Sequence, residues 1–380
     1  MKNIALFLLH FIIGYSLFNI HHSFAQTPKI DSLKAKFEEM YGRGTASSPA
    51  HDTTKINTLN ALGWELKNNN PDTAILLCTQ ALELAQKAKW NQGIGSAYHN
   101  LGEFNWRKGN YALALEHYHK ALAIWKTLFP PLGRRWGAST LSNIGIIYYE
   151  QGDYPKTLEY YFKALKVNEE LGQKSAIAIN LCNIGSVYME QGDYPKALSY
   201  YFKALKMDEE LGDKNGIAAD LGFIGSIYKN QRDYPKALEY YFKALKVSEE
   251  LDNKSHIAAW LGNIGNVYTD QGDYSEALGY YFKALKIAEE LGDKNRIAIQ
   301  LGNIGVAYDV QGNYLKALEY YFKALKMREE LGAKKLIAST LGNIGALYTD
   351  MAKTPHLLTL KKGELYKVAE EYLLKSLALC

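Results

Sequence analysis

Ile297-Ala-Ile-Gln-Leu-Gly-Asn-Ile-Gly-Val-Ala-Tyr308, then Gly312-Asn-Tyr314, then Ala317-Leu-Glu-Tyr-Tyr-Phe-Lys-Ala-Leu325 is one copy of a unit that the chain writes repeatedly. Its central glycine, Gly305, has counterparts at Gly145, Gly185, Gly225, Gly265 and Gly345, each 40 residues from the next. Looser copies place Gly102 and Gly63 in the same role, and Phe129-Pro130-Pro131 lengthens the loop before the third unit. The first positions of the units fall at Ile56, Gly95, Ala138, Ala178, Ala218, Ala258, Ala298 and Ala338. A fixed period of this length marks a repeat architecture, so about eight copies of one supersecondary unit are expected over residues 56–380.

Each unit reads as two helices. Leu301, Ile304 and Tyr308 stand at helical spacing and make one apolar stripe. A glycine inside that helix costs about 1 kcal/mol against alanine. Its recurrence therefore implies close approach by the second helix, which a side chain would hold away. Gln151-Gly152-Asp153-Tyr154 reads as the turn, and Pro155, Pro195 and Pro235 open the second helix where a missing N–H does no harm. Ala197, Tyr201, Ala204 and Leu205 form its packing stripe, and Gly212 ends it in a left-handed cap. A single hairpin cannot bury both stripes, but stacked neighbours can. The fold class expected is all-α, a right-handed α-solenoid with one concave and one convex surface.

Composition agrees with that class: 380 residues, 47% hydrophobic, with a formal net charge of +4 and closely alternating signs. Without a basic block, nucleic acid is not an expected partner. Cys78, Cys182 and Cys380 are sparse and far apart, so no disulfide framework is expected. Lys2, the apolar run Ile4 to Ile20 and Ser23-Phe24-Ala25 before Gln26 read as a secretory signal peptide over residues 1–25. Residues 26–55 then form an N-terminal helix and linker. The expected location is secreted or periplasmic, with an uncleaved membrane anchor as the alternative.

Leu-Gly-x-x-Tyr, Gly-x-Tyr, an aromatic and Ala-Leu at these offsets resemble the tetratricopeptide repeat. The 40-residue period, with Glu-Glu-Leu-Gly-Asp-Lys between units, resembles its long-helix subclass, which includes mitotic-spindle scaffolds and kinesin light chains. Asp52 to Leu62 looks like the opening of exported bacterial repeat regions, which often precede a membrane helix and a signalling output such as a histidine kinase. The resemblance implies a protein or peptide partner, no cofactor and no catalysis.

Comparison among the repeats separates structure from specificity. The stretch Tyr160 to Lys166 returns almost unchanged through Tyr320 to Lys326, which suits packing and a solvated lysine row. Variation lies on the first helix, along the expected groove. One position there stays polar, at Asn100, Asn143, Asn183, Asn263, Asn303 and Asn343, with Phe223 breaking the ladder. An amide both donates and accepts, so it can pair with an extended peptide backbone. In tetratricopeptide proteins the matching position contacts peptides in this way. The competing reading is that each asparagine bonds a neighbouring helix. Deeper in the groove stand Trp106, Arg107, Tyr149, Glu190, Lys229, Asp270 and Asp309, and the acidic later positions favour a peptide that is basic or rich in donors, with a solvated charged rim as the alternative.

Other chemistry finds little support. His117 and His119 point to different faces of a helix. The Glu-Glu pairs, such as Glu169-Glu170, recur in like surroundings, whereas catalytic carboxylates need unlike ones. The eighth unit carries an insertion over 351–362 and ends at Cys380 without a polar cap. A longer native chain, pairing of that end with a second copy (self-association) and simple fraying all account for it. Two functions therefore stand: an exported scaffold binding a peptide or protein segment, or the ligand-sensing input region of a membrane-bound signalling protein.

Overall fold

The computed structural model describes residues 29–35, 49–68, 70–128, 132–354 and 362–379. The leader-like start, the Phe129-Pro130-Pro131 loop, Cys380 and most of the 351–362 stretch lie outside them. The chain forms two compact units, one ending at Gln191 and the other beginning at Gly192. Among the described residues all regular structure is helical.

Among the described residues the first unit holds a short helical segment over 29–35 and seven longer helices: α1 (Pro49–Leu66), α2 (Pro71–Lys87), α3 (Asn91–Arg107), α4 (Tyr111–Thr127), α5 (Leu132–Glu150), α6 (Tyr154–Glu170) and α7 (Lys174–Glu190). The first hairpin begins at Pro49, within the stretch expected to hold an N-terminal helix and linker. The second unit holds α8 (Tyr194–Leu211), α9 (Lys214–Asn230), α10 (Tyr234–Glu250), α11 (Lys254–Gln271), α12 (Tyr274–Leu291), α13 (Lys294–Val310), α14 (Tyr314–Glu330), α15 (Lys334–Lys353) and α16 (Lys362–Leu377). Within each unit the helices pair as hairpins, and each second helix also packs on the first helix of the next hairpin.

Glycine makes the hairpins tight. A Cβ on Gly102, Gly145, Gly265 or Gly305 would come within 2.5–2.7 Å of the ring of Tyr118, Tyr161, Tyr281 or Tyr321. Those tyrosines are buried, and their area removed from water outweighs the helix penalty of the glycine. In the turn Gly152 takes φ +75°, a conformation that side chains resist. Asp153 then caps α6 by accepting the Lys156 N–H, with Pro155 in the first turn, and Asp193 and Asp233 repeat the arrangement. Gly212 closes α8 at φ +67°, as its position before Asp213 suggests.

The junctions between hairpins are not repeated. Asn168 of α6 donates to Asn180 of α7 at 2.7 Å, and Asn180 donates to Ser142 of α5 at 2.9 Å. At the matching place in the second unit Asp208 is hydrogen-bonded to Asp220, and burial raises the Asp208 carboxyl. One junction further on, Ser248 accepts the Trp260 indole N–H at 3.0 Å. Then Arg328 donates to Thr340. The insertion expected from Met351 starts later, because α15 runs on to Lys353 with Met351 and Ala352 buried.

Candidate peptide-binding face

The varied positions lie in the second half of each first helix, beside the hydroxyl end of the buried tyrosines. A tyrosine this deep needs a partner for its O–H, and the first helices supply different ones. In the first unit Tyr118 donates to Glu103 at 3.2 Å and accepts from Asn143 at 3.2 Å. Arg107 holds Glu103 at 2.8 Å and donates to Asn68 at 3.0 Å. Trp106 donates to Glu150 of the next hairpin at 2.8 Å, and the Arg107 guanidinium lies 5.3 Å from its ring. Asn100 reaches back to Asn60 at 3.4 Å. Tyr149 is half-buried, and burial, with the Glu190 charge second, lifts its hydroxyl pKa. Glu190 itself is exposed.

In the second unit Tyr241 shares a hydrogen bond with Ser226 at 2.9 Å. Tyr281 donates to Asn266 at 2.8 Å, and Asn303 donates to the same Asn266 oxygen at 3.3 Å. Burial pushes the hydroxyls of Tyr241 and Tyr281 up to about 12, so they stay protonated. Phe223, in the break of the asparagine ladder, stacks on the Tyr201 ring of the preceding helix with centroids 5.2 Å apart. This half-buried ring packs between two hairpins. Lys229, the cation among the acidic positions, is paired with Asp270 of the next hairpin at 3.1 Å. Asp309 accepts from Tyr321 at 3.3 Å. Burial raises the Asp309 carboxyl, the Tyr321 bond opposes this and the Asp350 charge adds to it.

The ladder therefore divides. Asn100, Asn143 and Asn303 each bond the preceding hairpin, the geometry-fixing role that competed with peptide contact. Asn183, Asn263 and Asn343 are half-buried and make no side-chain hydrogen bond among the described residues. Glu103, Ser226 and Asn266 were passed over in the sequence, yet each anchors a tyrosine hydroxyl. Their signal is a polar residue one place beyond the central glycine, facing the buried tyrosine that recurs in the middle hairpins.

Profiles of the tetratricopeptide repeat match residues 137–210 and 217–290, and a second such profile matches 94–131. No curated protein matches in sequence. Among solved structures, the apo quorum sensor NprR from B. thuringiensis superposes with a TM-score of 0.62 at 15% identity, covering 92% of this chain and 97% of that one. Aspartyl phosphate phosphatase F from Bacillus subtilis gives 0.61 at 14% identity, covering 94% and 95%. The Rap conjugation gene regulator of the plasmid pLS20, in complex with a Phr peptide, gives 0.55 at 16% identity, covering 94% and 98%. At these identities the shared property is the fold.

Proposed function

From the premise that this chain is a tetratricopeptide repeat protein, we propose that it is a non-catalytic scaffold holding an extended peptide segment on the first-helix face of its second unit. One observation carries the reading. Asn263 and Asn343 present amides with no partner among the described residues, at the position where Asn303 is occupied by the chain itself. A half-buried amide without a partner gains from a peptide backbone, which supplies both a donor and an acceptor. Asp309 adds a chemical preference: it makes no ion pair among the described residues, whereas Asp350 is paired with Lys353 at 2.9 Å, so a basic side chain of the guest would give the half-buried Asp309 carboxylate the partner it lacks there. The solved pLS20 regulator with its Phr peptide, on a similar fold, supports a peptide as the class of guest.

The test is a binding panel of extended peptides that differ in the presence of one lysine or arginine. Replacing Asn263 and Asn343 by alanine should weaken all peptides and leave the melting temperature in place. Asp309→Asn should weaken the basic peptides alone. Unchanged binding by both variants would sink the reading. We further propose that the protein works outside the cytoplasm, on the strength of the leader-like residues Lys2 to Ala25. N-terminal sequencing of the protein from its host should then begin at Gln26, and an intact Met1 would refute export by cleavage.

A further inference from the structure

In the first unit an open cavity of about 700 Å³ lies over α5, between α4 and α6. Its floor is apolar, formed by Leu122, Trp125, Leu141 and Val167. The same crevice recurs in the second unit over α13, between α12 and α14, with about 470 Å³. Comparison of the two isolates what is special about the first.

Two residues differ in kind. Ile297 lines the smaller crevice, where the larger one has Gly137. Ile177, Ile217, Ile257 and Ile337 hold that position in the other regular copies. A Cβ on Gly137 would stand 4.0 Å from the Trp125 Cβ, its nearest neighbour, so this glycine relieves no clash. It removes an isoleucine side chain and leaves the room open. Likewise Glu289 of the smaller crevice corresponds to Lys126 of the larger.

The charge balance changes with them. Glu289, Lys323, Lys326 and Glu330 cancel around the smaller crevice. Around the larger one Lys126, Arg134, Lys163 and Lys166 face Glu170 alone. Arg134 holds Glu170, and Lys163 is paired with Glu159 at 2.5 Å. Lys126 and Lys166 make no ion pair among the described residues. An apolar floor of this size under unpaired cations matches a small ligand with an apolar body and one anionic end, since small-molecule pockets span roughly 300–1,000 Å³.

We propose that this cavity binds an unbranched fatty acid, its chain on the floor opened by Gly137 and its carboxylate held by Lys126 and Lys166. The site is separate from the asparagine face and does not depend on the peptide reading. Titration calorimetry of the full chain with decanoate, below its micelle concentration, should show saturable binding. Decanol and decyltrimethylammonium should bind at least about tenfold more weakly, because neither engages a lysine as an anion. Gly137→Ile refills the floor with the residue its sister repeats carry and should lower decanoate affinity about tenfold or more through the lost apolar contact. Lys126→Glu restores the charge of the smaller crevice and should weaken decanoate while leaving decanol unchanged. It also keeps the test decisive should Gly137→Ile fail to fold. The proposal is overturned if decanoate does not saturate, if decanol binds as tightly, or if both variants bind as the parent does. Binding only of apolar peptides with a free C-terminal carboxylate would assign the cavity to a polypeptide and overturn it equally.

Discussion

Inside a hairpin and between hairpins, the same chain solves packing in opposite ways. Inside, Gly265 against Tyr281 and Gly305 against Tyr321 are one contact written twice. Between, an Asp208–Asp220 pair, a Ser248–Trp260 pair and an Arg328–Thr340 pair fill one structural position with unlike chemistry. The repeated contact closes the hairpins that carry it, and in the first and last Gly63 meets Cys78 and Gly345 meets Leu373 instead. The individual contacts decide which hairpin belongs beside which, because a swapped neighbour would leave a buried acid or guanidinium without its partner. A nearly identical repeat sequence thereby keeps a unique order.

The largest effect should come from emptying a junction. Trp260→Ala removes a ring seated over Gly222 and its hydrogen bond to Ser248, and should cost about 3–5 kcal/mol in chemical denaturation. Gly222→Ala alone should also destabilise, since its Cβ would collide with the indole. In the double variant the two losses should be less than additive, and strict additivity would break the claim that the pair is coupled.

The next effect is titratable. His99 is buried and shares a 2.9 Å hydrogen bond with Thr140 of the next hairpin. Thr140 donates to the Trp136 carbonyl, so the Nδ1 position of His99 carries the proton in the neutral ring. Burial lowers its pKa to about 4, below the ordinary 6.5. The unfolded chain then binds the extra proton between those values. This contribution to stability is complete above pH 6.5 and is lost as pH falls toward 4, by up to about 3 kcal/mol. Melting curves across that window should flatten in His99→Gln, and an unaltered slope would remove His99 from the account.

Within a hairpin, Gly305→Ala should destabilise by about 1–3 kcal/mol through overpacking on Tyr321. Gly279 gives the sharpest contrast and the smallest effect. It is an exposed residue of α12, and nothing lies within 4 Å of its absent Cβ. Gly279→Ala should therefore stabilise by about 0.5–1 kcal/mol. Equal signs at Gly305 and Gly279 would show that propensity, not the tyrosine, governs both.

The hairpins, their turns and their caps were legible in the sequence because they rest on short-range chemistry. Gly212 and Asp153 do their work within a few residues of themselves. The asparagine ladder was legible only as a pattern. Asn303 and Asn263 are the same residue in the same frame, yet Asn303 bonds Asn266, whereas the position matching Asn266 in the frame of Asn263 is Ser226, whose hydroxyl bonds Tyr241. What differs is a residue 37 positions upstream, beyond any local reading. Phe223 was opaque for the same reason, since its partner Tyr201 belongs to the preceding repeat.

Periodicity and glycine spacing alone determined that this chain forms stacked two-helix units, since helix pairing depends on side chains a turn or two apart. Only the tertiary structure decided which polar groups remain available to a guest, and that the crevice beside Gly137 is larger than the one a sister repeat lines with Ile297. Availability is what is left after every neighbour in space has been served, and neighbours in space are set by folding across whole repeats.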